Sequence, residues 1–85
     1  MSEQNFVLLT LKKLADIPEV VSIDVLPLPE YEDADVAVRF YIRKPEDANT
    51  VIEKMSDIQW EVYEETGFFP AVYWEFAEVK NETKK

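Results

Sequence analysis

Asp33 and Asp35 stand one residue apart in the stretch Tyr31-Glu-Asp-Ala-Asp-Val, and a third carboxylate, Glu75, sits in the downstream run Tyr-Trp-Glu-Phe. Three carboxylates brought to one place hold a hard divalent cation through oxygen ligands and leave room in its shell for water and phosphate. Little else in the chain offers chemistry. Its 85 residues contain neither Cys nor His, which removes disulfides, thiol nucleophiles, zinc-finger ligands and the commonest general base together. What remains is carboxylate, amine, phenol and hydroxyl chemistry, and no complete active-site signature surrounds it.

The acids meet only if the elements that carry them bring them together. Over 3–15, Val7, Leu8, Leu11, Leu14 and Ala15 recur at helical spacing, with Ser2 as N-cap and Lys12 and Lys13 near the C-terminal end. Pro18 stops this helix, because the residue before a proline is driven out of the helical region. Over 20–28, Val21, Ile23 and Val25 alternate with Ser22 and Asp24, the period of a half-buried strand, until Pro27 and Pro29 end it. A second strand over 35–43 turns Val36, Val38, Phe40 and Ile42 one way and Ala37, Arg39, Tyr41 and Arg43 the other.

A second helix is expected over 45–66. Pro45 lies in its first turn, and Gly67, the single glycine of the chain, supplies the left-handed C-cap. Its apolar stripe is Ala48, Val51, Ile52, Met55, Ile58, Val62 and Tyr63. A third strand over 71–79 alternates Val72, Trp74 and Phe76 with Tyr73, Glu75 and Ala77. Residues 1–80 thus form one small domain, followed by a frayed polar tail over 81–85.

The order α-β-β-α-β predicts an α+β fold, a two-layer sandwich with a three-stranded sheet and both helices on one face. The first two strands pair antiparallel across their short loop, and the third lies beside either of them. Strand alternation then puts Ser22, Asp24, Arg39, Tyr41, Arg43, Tyr73 and Glu75 on the open face. Asp33 and Asp35 share the parity of Arg39 and Tyr41, so convergence with Glu75 is expected there.

This pattern of strand, short loop, "DADVAV", helix and a later strand acid in "YWEF" resembles the minimal core of the nucleotidyltransferase superfold. The resemblance implies that Asp33, Asp35 and Glu75 are metal ligands for Mg and a nucleoside triphosphate. The chain departs from the family at the phosphate cradle. Where the family has a Gly-Ser pair, this loop reads "LPLPEYED", and its two prolines lack N–H donors.

Other features point to association. At about 100° per residue, Trp60 points away from the apolar stripe of the second helix, among Glu53, Asp57, Glu61 and Glu64. Trp is over-represented among residues that dominate binding energy, and the surrounding acids select a basic partner. On the open face Arg39, Tyr41, Arg43 and Tyr73 interleave cations with aromatics, a pattern that stacks nucleic-acid bases. Asp24, Glu75 and a formal net charge of -9 oppose phosphate contact. A face-to-face homodimer with Arg and acid paired across a two-fold axis suits that face better.

The expected function is therefore a small acidic, non-enzymatic protein-interaction domain that self-associates or takes a basic protein partner, with no direct nucleic-acid or membrane binding. Two alternatives stand beside it. One is a degenerate nucleotidyltransferase-like domain holding Mg and nucleotide. The other is a mimic of nucleic acid whose acids, Glu30, Glu32, Asp33 and Asp35 with the acidic helix face, occupy a basic protein. No secretory leader and no apolar run of spanning length is present in the sequence given, and a cytoplasmic location is expected.

Overall fold

The computed structural model describes residues 3–79, with side chains from residue 6 onward. Five elements follow in the expected order: α1 (Glu3–Ala15), β1 (Val20–Leu26), β2 (Val36–Ile42), α2 (Asp47–Thr66) and β3 (Val72–Glu78). The fold is α+β, as the periodicities predict. Ser2 and the 81–85 tail lie outside the described residues.

The boundaries draw inward at the prolines. β1 stops at Leu26, immediately before Pro27. α2 begins at Asp47 because Lys44 and Pro45 are used in a tight turn, with Asp47 N–H donating to Lys44 O and Ala48 N–H to Pro45 O. At the other end Gly67 takes φ 83°, and its N–H closes the helix on Tyr63 O at 2.7 Å.

The sheet order is β1-β2-β3. β1 and β2 pair antiparallel, whereas β2 and β3 pair parallel, so α2 is the crossover that parallel neighbours require and the third strand lies beside the second. The paired registers define rows across the sheet. On the helix side, Ile23, Phe40 and Phe76 form one row and Val25, Val38 and Trp74 another. On the open side the rows are Leu26–Ala37–Tyr73, Asp24–Arg39–Glu75 and Ser22–Tyr41–Ala77.

The core sits between the helix side of β2 and the inward faces of both helices. Val36, Val38, Phe40 and Ile42 are buried, and they share one cluster with Phe6, Leu14 and Ile17 and with Val51, Met55, Ile58 and Val62 of α2. Phe40 stacks on Phe76 with ring centroids 5.4 Å apart. Thr10 is also fully buried in α1, and its hydroxyl is satisfied by donating to Phe6 O at 2.7 Å.

Three placements differ from the sequence expectation. A bulge between Val20 and Ser22 turns Val20, rather than Val21, toward Ile42 and the core. Val25 keeps the expected side but lies on an outer strand beyond the reach of the helices and is exposed. On the helices, Leu8 and Ala15 of α1 and Tyr63 of α2 face solvent, because the buried line of α1 runs through Phe6, Thr10 and Leu14.

Candidate functional site

The expected carboxylate cluster is taken apart by the backbone that carries it. Asp35 sits at the entry to β2, where its carboxylate accepts from Ala71 N–H at 2.8 Å while its own N–H donates to Ala71 O at 2.8 Å. Glu75 lies in the row of Arg39, about 13 Å farther along the strand. There it accepts from Arg39 Nε at 2.6 Å. Asp33 is exposed in the loop. Among the described residues no group of three acids lies close enough to hold a metal ion. The convergence of Asp33, Asp35 and Glu75 expected from strand parity does not occur, because equal parity fixes the face and not the position along it.

Polar groups of the open face pair with one another, both along a row and between neighbouring rows. Arg39 spans to Glu75, and the Tyr41 hydroxyl donates to Asp24 Oδ2 at 2.8 Å. The neighbouring Tyr41 side chain and the Glu75 carboxylate hold the Arg39 guanidinium above its ordinary value. Of the two, Glu75 alone makes a hydrogen bond of defined geometry with it. Arg39 and Glu75 thus pair with each other inside one sheet. Tyr73 is half-buried beside Ala37, and Arg43 follows β2 in solvent.

α2 has two unlike flanks. One is held to α1 and its following turn by ion pairs: Lys13 Nζ lies 3.3 Å from Glu61 and 3.4 Å from Glu65, and Lys54 Nζ lies 2.9 Å from Glu19. Glu61 therefore belongs to this helix–helix seam and not to the acids left around Trp60. The bond from Lys13 and its positive charge account for that placement, and the two glutamates raise the Lys13 ammonium above its usual range. In the same way the Lys54 bond pulls the Glu19 carboxyl below its own. A cleft of about 260 Å³ follows this seam, lined by Lys13, Asp16, Lys54 and Asp57 among others.

The other flank is aromatic. Trp60 packs edge-on against Phe69 at 4.9 Å and against Tyr63 at 5.9 Å, with Tyr63 and Phe69 6.4 Å apart. The three rings are 54%, 45% and 43% exposed for Trp60, Tyr63 and Phe69. Gln59 fixes the return of the chain beside them by donating to Pro70 O at 2.8 Å. Glu53 and Glu64 are exposed on the same side of α2 as Trp60, and Asp57 lies between that side and the cleft; none of the three has an ion-pair partner among the described residues.

Trp60 was expected on this surface; Tyr63 and Phe69 were not. The signal for Phe69 lies in Gly67-Phe-Phe-Pro, two aromatics placed after the C-cap where the helix has ended. They separate. Phe68 returns to stack on Phe6 of α1 at 5.1 Å, and Phe69 turns to Trp60.

No family model matches. Nor does any curated protein or solved structure match the chain. Among the described residues no helix is long and apolar enough to cross a membrane.

Proposed function

We propose that the protein is an association module that docks a basic segment of a partner protein on the Trp60 side of α2. The observation that carries this reading is the union of two features: three exposed, mutually packed rings, and three carboxylates beside them that no lysine or arginine neutralises among the described residues. Exposed aromatics that support one another in fixed orientation lose little conformational freedom on binding. A cationic side chain laid over Trp60 gains from the ring face and from the carboxylates at once.

The helix energetics support it. α2 carries six acids and one lysine, with no basic residue in its last turn. Glu64 and Glu65 lie at the negative end of the helix dipole, which is unfavourable locally. Lys13 relieves Glu65. Glu64 has no such relief in the described chain, and a partner cation supplies it.

The role proposed is binding, without catalysis. The Mg and nucleotide reading needs Asp33, Asp35 and Glu75 together, and Asp35 is engaged with Ala71 and Glu75 with Arg39. The nucleic-acid-mimic reading, which rests on Glu30, Glu32, Asp33, Asp35 and the acidic helix face, has no aromatic component and gives no role to the exposed rings around Trp60. The test is titration of the full chain with an arginine-rich peptide, followed by the two tryptophan indole N–H signals. Docking at this surface shifts Trp60 and leaves Trp74 in place, and it weakens as salt is added. Equal, small shifts spread over all acidic positions would contradict it.

A further inference from the structure

We propose that β3 is a strand-pairing edge for a second copy of this chain, joining the two sheets antiparallel about a two-fold axis with Trp74 opposite the Trp74 of the second copy.

The backbone specifies which groups are available. Ala71 O accepts from Asp35 and Val36, and Val79 N–H donates to Ile42 O, so both ends of β3 direct their odd-numbered residues to β2. Amide groups alternate in direction along a strand. Tyr73, Glu75 and Ala77 therefore spend theirs on β2, and Val72, Trp74, Phe76 and Glu78 present theirs to the outer edge. β3 is the last strand of the sheet, and no described segment pairs with that edge.

The two edges of the sheet are treated differently. β1 carries a bulge at Val21 and is bracketed by Pro18 before it and by Pro27 and Pro29 after it, all devices that discourage further pairing. β3 has no proline, lysine or bulge within it. It is instead rich in residues that favour strands, and Trp74, 39% exposed, lies against Phe76 at the rim of the core. Such an edge left open invites unlimited association. A two-fold pair consumes both copies of β3 and leaves only the blunted β1 edges outside, which limits the assembly to two chains.

Local charge selects the register, and the self-complementary side chains of β3 suit a second copy. Centring the axis on Glu75 would oppose two glutamates at the closest type of strand pair. Centring it on Trp74 instead sets Tyr73 against Glu75 on the open face, so that a phenol hydroxyl meets a carboxylate already paired with Arg39. On the helix side it sets Val72 against Phe76 and tryptophan against tryptophan. Pro70, which lacks an N–H, then ends the ladder at either side. Trp60 points away from the sheet and stays outside this contact.

Sedimentation and amide hydrogen exchange of the full chain, from dilute to millimolar and at low and high salt, test the proposal. The mass is expected to double with concentration. Because two chains of net charge -9 repel, added salt should favour the pair. Exchange at Val72, Trp74 and Phe76 should slow in step with the doubling, while Tyr73 and Glu75 remain protected throughout by β2. Trp74→Pro removes an N–H that the single chain does not use, so it should keep the circular dichroism of the parent and lose the doubling. The proposal is overturned by a single-chain mass at millimolar concentration in high salt, by doubling without slower exchange at Val72, Trp74 and Phe76, or by a folded Trp74→Pro that still doubles. If Trp74→Pro fails to fold, exchange on the parent chain decides alone.

Discussion

Asp35 and Ala71 hold each other at the entry to the parallel pair: the Asp35 carboxylate accepts from Ala71 N–H, and Ala71 O accepts from Asp35 N–H, both at 2.8 Å. The chain reaches Ala71 only after the whole of α2, so this contact sets where β3 begins against β2. An acid that looks like a ligand is thereby a clamp on the sheet.

Asp35→Ala should destabilise the domain by about 1 kcal/mol, the usual worth of one such bond, and shift the melting midpoint by about 4–8 °C for a chain of this size. Asp35→Asn keeps an oxygen acceptor and should recover most of the loss. Thermal unfolding of the two variants checks this. Equal destabilisation by both would show that the charge, and not the accepted bond, matters.

Gly67 gives an independent measure of the α2 terminus. A Cβ there meets nothing within 4 Å, yet φ is 83°. Gly67→Ala should cost about 1 kcal/mol through backbone conformation alone, with Gly67→Asn costing less. Denaturant unfolding with unchanged slope would identify a pure stability effect.

The fold was legible where one period dominated. Val36, Val38, Phe40 and Ile42 alternate without interruption, and β2 is the strand covered by the helices. Val21 was misread because a single extra residue reverses parity, and nothing in Val-Val-Ser-Ile announces a bulge. Tyr63 fits the apolar stripe by angle, but the return of Phe69 depends on tertiary structure and gives it a partner on the outside. Parity placed Glu75 and Asp35 on a common face, while their separation along it depended on the parallel register, which local sequence does not encode.

Phe40 is fully buried in the middle of β2 and stacked on Phe76. Phe40→Ala should cost about 3–5 kcal/mol, a large share of what a domain this small has. Loss of cooperative unfolding at ambient temperature is the expected result, and a variant with parent-like stability would place the core elsewhere.

The two seams on α1 and its turn respond to opposite ends of the pH scale. Glu19 is held below its ordinary 4.5 by Lys54, so its contribution is present above that value and is lost as pH falls through the lowered one. Lys13 is held above 10.5 by Glu61 and Glu65; its contribution is complete below that value and is lost as pH rises through the raised one. Lys54→Met should move the Glu19 carboxyl titration upward and flatten the acid limb only. Carbon NMR of the carboxyl, paired with melting curves across pH, reads both.

The most direct test of the binding role is the Trp60 indole N–H signal during titration with an arginine-rich peptide, compared with a variant in which Glu53, Asp57 and Glu64 are changed to glutamine. A saturable shift at Trp60 that salt reverses and the variant loses, with Trp74 unmoved, is the predicted result. A Trp60 signal that stays fixed while acidic positions shift weakly across the whole surface would contradict the account.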